Sequence, residues 1–273
     1  MVSTVTLGPG TVVEVVPGDA PEPSRGLWSG AQALRTRWAR DLTDWAWSVE
    51  GLISTEDCGR EALRFDPATG ALREAFFPRP SGLLREDGLL QAIATAERVP
   101  GSLRLATRVR GEALTPCTTA LFPLDLGLLA AVTDEVARAP EPPTLTCVAV
   151  ATGVDLLVLE GRWAGWRAVD PVRLLRPMGW PELREPEGPE EPLRRALVDL
   201  VYDYMTLDAG PRPRPDEVSD PEEIAHLVSF RERARALADP AVPAGDPTPG
   251  VARDIAAQIH WGWGFFRVAE PGG

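Results

Sequence analysis

Catalysis and metal binding need side chains that titrate, ligate or attack, and the specialised ones are scarce in this chain of 273 residues: two histidines, His226 and His260, and three cysteines, Cys58, Cys117 and Cys147. Glu223-Ile-Ala-His226 has the Glu-x-x-His spacing that sets two metal ligands on one helical face. A dimetal carboxylate site needs that motif twice, with two further glutamates, and no second copy occurs. The pair therefore reads as a helix-surface histidine beside a first-turn acid, and no metal site is expected. The cysteines are odd in number, widely spaced and free of any CxxC, which points to neither a disulfide framework nor a zinc site. Cys117 and Cys147 lie in apolar surroundings, where a thiol behaves as a small inert hydrophobe. Cys58 follows Glu56 and Asp57, whose charges raise a thiol pKa, the wrong direction for a nucleophile. With no lysine there is no GxxxxGK, and no GxGxxG, GxSxG, HExxH or calcium-binding loop occurs either. No nucleotide or other cofactor is expected.

The aromatic residues offer the other chemistry. In His260-Trp-Gly-Trp-Gly-Phe-Phe-Arg-Val268, an extended chain would set Trp261, Trp263 and Phe265 on one face and Gly262 and Gly264 on the other. Such a platform could stack on a sugar or a base, and Trp163 and Trp166, near Gly161 and Gly165, could line the same surface. The competing expectation is a closing strand whose tryptophans dock into the core.

These residues must be positioned by elements that the apolar periods suggest. Thr4–Leu7 and Thr11–Val16, rich in β-branched residues, flank a Gly8-Pro9-Gly10 turn and read as two strands. Leu34, Trp38, Leu42, Trp45 and Val49 recur at three- and four-residue spacing, predicting an amphipathic helix over 30–49, with Arg35, Arg37 and Arg40 as its solvated flank. The Asp66-Pro67-Ala68-Thr69-Gly70 turn predicts a hairpin over 62–78. A short helix near 86–97 and a strand at 102–109 follow, the latter exposing Arg104, Arg108 and Arg110. Asp125 is expected to cap a helix running to about Arg138, with Leu128, Leu129, Val132 and Val136 as its apolar side. Runs over 144–151, 154–159 and 163–169 predict an antiparallel meander at the centre of a sheet. Beyond Pro171 the chain becomes proline-punctuated, with helices expected over 192–207, 221–238 and 249–260. Leu193, Leu197, Leu200 and Tyr204 form the buried stripe of the first. The expected class is α+β: an antiparallel sheet with helices packed on one face over 1–178, then a helical region over 179–273 ending in the aromatic segment and packed on the core.

Charge narrows the function. All 28 cationic side chains are arginine, against 40 acids, for a net charge of −12. Residues 1–120 hold 13 arginines and 15 acids, whereas residues 121–273 hold 15 and 25. An acidic second half repels phosphate backbones and anionic lipid, so nucleic acid is an improbable partner and a basic protein an easy one. Asp125, Asp134 and Asp155 interrupt the most apolar stretches, and the amino end lacks the basic and apolar regions of a secretory signal, so cytoplasmic residence without membrane insertion is expected. The leading expectation is a non-catalytic interaction protein, an inhibitor or antidote of a basic partner, whose contact residues are Glu185, Glu187, Glu190, Glu191, Glu222 and Glu223. The alternative is an enzyme or small-ligand binder that uses Trp163, Trp166, Trp261 and Trp263 with carboxylates as acid and base.

Overall fold

The computed structural model describes residues 3–18, 25–29, 33–37, 47–51, 62–66, 68–78, 82–83, 87–106, 113–123, 127–176, 191–208, 221–238 and 248–262. The chain divides into two compact units, one of Met1–Trp28 with Gln32–Leu174, the other of Ser29–Ala31 with Leu175–Gly273.

The first unit carries β1 (Thr4–Gly8), β2 (Thr11–Pro17), β3 (Arg25–Ser29), β4 (Ala33–Arg37), β5 (Trp47–Gly51), β6 (Ala62–Phe65), β7 (Leu72–Pro78) and β8 (Gly82–Leu83). The helix α1 (Asp87–Thr95) follows, then β9 (Glu97–Leu105), β10 (Ala113–Leu114), β11 (Cys117–Leu121) and β12 (Leu128–Thr133). After the single turn α2 (Asp134–Ala137) come β13 (Thr146–Ala151), β14 (Val154–Leu159), β15 (Arg162–Val169) and the short α3 (Pro171–Leu174).

One sheet runs β1-β2-β9-β13-β14-β15 and closes on itself, because β15 also pairs with β1, in parallel, at Thr6 and Arg162. The result is a closed, mixed barrel of six strands in which β9–β13 and β15–β1 are parallel and the other neighbours antiparallel. From the far end of β15 the sheet branches through β12 and β11 to β8. A second sheet has the order β10-β5-β6-β7-β4-β3. This overturns the expected antiparallel sheet with helices on one face. The apolar alternation of each strand was readable, but the two parallel seams join segments far apart in the chain, and local period carries no signal of that pairing.

Two expected helices are strands. Within 30–49 the described residues form β4 and the start of β5, whose registers set Leu34 opposite Phe77, Trp47 opposite Phe65 and Val49 opposite Leu63. Long-range pairing prevails over the helical period, and Trp38, Leu42 and Trp45 lie outside the described residues. Between Asp125 and Arg138 the apolar run is β12, all six residues buried between β11 and β15, and among the described residues of that range only Asp134–Ala137 are helical. A strand buried on both faces reads as a continuous apolar run, which periodicity cannot separate from a buried helix.

Other expectations match the structure. The meander is β13-β14-β15, and the 62–78 hairpin is β6–β7. Asp66 shapes that turn: its Oδ1 accepts from the amides of Ala68 (2.9 Å) and Thr69 (2.8 Å), while Gly70 takes φ +71°. The helix expected near 86–97 is α1, and the strand expected at 102–109 begins earlier, as β9, with Arg104 exposed. Arg108 and Arg110 lie outside the described residues.

Strand parity sorts the barrel's side chains. Paired registers place Val148, Leu156, Trp166 and Ala168 on one face, and Arg98, Cys147, Leu157, Asp155 and Arg167 on the other. The second face carries α1, since Leu89 and Ile93 share a buried cluster with Cys147 and Leu157. A six-stranded barrel has no room for a helix, so that face is its outside, and the first face fills the interior with side chains.

The second unit contains α4 (Glu191–Asp208), α5 (Pro221–Leu237) and α6 (Thr248–Gly262), matching the three helices expected after Pro171. The three pack on one another through Leu197, Leu200, Val201 and Tyr204 of α4, Phe230 and Ala234 of α5, and Val251 and Ile255 of α6. Arg233 of α5 donates to Asp203 of α4 at 2.6 Å. Because α6 runs through Gly262, residues 260–262 are helical and the strand expected to begin at His260 is not formed there; 263–268 lie outside the described residues. No helix among the described residues is long and apolar enough to cross a membrane.

Candidate functional site

The residues singled out from sequence fall partly within the described residues. Glu185, Glu187, Glu190 and Trp263 lie outside the described residues; Glu191 is the first residue of α4, Glu222 and Glu223 belong to the first turn of α5, and Trp261 sits near the end of α6. Trp163 and Trp166 are core residues, 4% and 1% exposed, so neither offers a face on which a ligand could stack. Both indoles stack on Phe77 of β7, with ring centroids 5.9 and 5.5 Å away. Trp163 Nε1 donates to the Thr115 carbonyl at 2.8 Å, whereas Trp166 Nε1, inside the barrel, has no partner. His226 is exposed on α5, and no group of three or more His, Cys, Asp or Glu gathers among the described residues.

What the structure does assemble is a charged cluster on the outer face of the barrel, beneath α1. Asp155 is the second residue of β14 and fully buried. It is registered against Arg167 of β15 and, on its other side, against Ala149 of β13. Two residues along β13, Cys147 is registered against Arg98 of β9. The period of two thus brings two guanidiniums, one carboxylate and one thiol onto a single face of four strands. Arg98 Nε donates to Asp155 Oδ1 and Arg167 Nε to Asp155 Oδ2, each at 2.9 Å. Arg167 also donates through Nη1 to the carbonyls of Ile93 and Ala94 at the end of α1. Those carbonyls belong to the helix's last turn, where no intrahelical donor remains, so a buried cation there satisfies both the orphan acceptors and the negative end of the helix dipole.

Asp155 accepts an arginine hydrogen bond on each oxygen, so both oxygens are engaged in binding Arg98 and Arg167. Cys147 is unsuited to attack: its thiol is pushed up to about 12, chiefly by burial, with the Arg167 charge opposing the rise, Asp155 adding to it and Arg98 opposing it. The cluster fastens α1 to the barrel without presenting an acid, base or nucleophile to solvent. The signal that could have found it was an aspartate inside the apolar run Val154-Asp-Leu-Leu-Val-Leu159, since a carboxylate in a buried strand requires a cationic partner.

The raised Cys147 pKa predicts an alkaline loss of stability. Below the ordinary value of 9.0 the thiol is protonated in both states. Between there and about 12 the unfolded chain releases a proton that the folded chain keeps, so stability falls as pH rises, with a limiting slope of about 1.4 kcal/mol per pH unit. Denaturation of wild type and Cys147→Ala between pH 8 and about 10.5 should show the shallower decline in the variant. Parallel curves would refute the assignment.

No known protein family matches the chain, and no curated protein matches it.

Proposed function

We propose that this chain is a non-catalytic interaction protein of the cytoplasm that binds a basic protein partner through its acidic second unit, the narrower form being an inhibitor or antidote of a basic enzyme. One observation carries the reading: residues 183–223 hold 12 acids against 5 arginines, a net of −7 in a chain of −12. Such a field accelerates encounter with a cationic partner and makes it dependent on salt. The chemistry of the barrel supports the same reading, because its buried charges are paired with one another and its two described indoles are internal.

Reversing Glu185, Glu187, Glu190, Glu191, Glu222 and Glu223 to arginine tests it. Proteins retained from a host lysate by wild type at low salt should include a basic one, whose association with the purified variant is slower by on the order of tenfold or more and less sensitive to salt. An unchanged partner set, with unchanged association kinetics, overturns the proposal.

A further inference from the structure

The charged cluster beneath α1 does not balance. Asp155 supplies one negative charge and Arg98 and Arg167 supply two positive ones, and Asp155 is the sole carboxylate paired with either among the described residues. The guanidinium of Arg167 is enclosed, with its side chain 6% exposed, and is engaged by Asp155 and the α1 carbonyls. The surplus positive charge therefore emerges at Arg98, whose side chain is 51% exposed. Its Nε is held by a fully buried carboxylate, while its two terminal nitrogens have no partner among the described residues. Arg138, Arg162 and Arg173 of this unit each pair with a surface carboxylate of their own, Asp134, Glu135 and Asp170, and exposed Arg104 has no buried carboxylate to hold it among the described residues.

We propose that Arg98 is the recognition end of a carboxylate-binding site, with Asp155 as its positioning residue. A guanidinium anchored through Nε turns its Nη1/Nη2 edge outward, and that planar pair of donors matches the two oxygens of a carboxylate. Anchoring removes much of the rotamer entropy that an unrestrained arginine loses on binding. A single unbalanced positive charge calls for a monoanion, and the chain's overall negative charge disfavours a dianion such as phosphate. The partner chemistry is thus an aspartate or glutamate side chain, or the carboxyl terminus of a peptide. This site is independent of the acidic segment and of the basic partner proposed for it.

Acetate is the probe. In the 15N-labelled full chain, the amide resonances of Val99 and Cys147 are followed while sodium acetate replaces sodium chloride at constant ionic strength. Wild type should show a saturating shift. Arg98→Lys, which keeps a positive charge over Asp155 but lacks the planar pair of donors, should bind acetate at least about tenfold more weakly. Saturation at the same concentration in Arg98→Lys, or no saturation in wild type, overturns the proposal. Saturation by phosphate with none by acetate overturns the carboxylate assignment.

Discussion

Asp155→Ala should destabilise the barrel unit by about 3–5 kcal/mol, the range for removing one partner of a buried ion pair. The cause is what remains: Arg167, 5% exposed, would stay enclosed between β14, β15 and the end of α1 with no counter-charge. Little of the loss belongs to Arg98, whose half-exposed side chain can turn to water. Against a total stability of about 5–15 kcal/mol for a domain, the loss is a large fraction and corresponds to a fall in Tm of roughly 6–20 °C. A control separates the stranded charge from lost packing. Asp155→Leu combined with Arg167→Met removes both buried charges and should recover much of the difference, leaving the Ile93 and Ala94 carbonyls as its residual cost. A melt of Asp155→Ala within about 1 kcal/mol of wild type would show that Arg167 reaches water without its partner.

The same cluster shows how much of this protein was legible from its residues. Whereas the apolar periods within 30–49 and 125–138 suggested helices where strands form, several patterns confined to a short window were read correctly, namely the Asp66–Gly70 turn, the three-strand meander and the helices opened by Pro192, Pro221 and Pro249. Each has a local cause, whether a side-chain oxygen capping a turn, alternation between tight turns, or proline at a first helical turn. The closure of the barrel has none. Thr6 and Arg162 are separated in sequence by β3 to β7 and β10 of the second sheet, and neither flank marks the other as its partner. The Asp155–Arg167 pair lies between, because both residues sit in neighbouring strands whose hairpin was predicted. Parity along the two strands would have placed them opposite each other once the register was known. Arg98, contributed by a parallel strand 57 positions from Asp155, could not have been added that way.

Gly165→Ala should be about as damaging, for a backbone reason that sequence patterning does not reveal. Gly165 lies in the middle of β15, a strand otherwise rich in large residues, at the fork where β15 exchanges one neighbour for another. Its amino end pairs with β1 at Arg162, while Gly165 itself is registered against Val132 of β12 and Leu157 of β14. Pairing on both edges beside a register shift brings the β12 backbone unusually close. A Cβ at this position would lie 2.1 Å from the Ala131 carbonyl oxygen and 2.9 Å from the Val132 Cα, so the clash is with backbone that no rotamer change relieves. The φ of +145° is itself one that L residues rarely adopt. Conformational strain of about 1–3 kcal/mol and overpacking of a similar size together predict a loss of roughly 2–6 kcal/mol. Gly18 supplies the contrast, with φ +138° but nothing within 4 Å of an added Cβ, so Gly18→Ala should show only the conformational part. Denaturant melts of the two variants therefore separate strain from collision, and equal losses would mean that β12 yields to the added methyl group and that the fork is looser than its geometry implies.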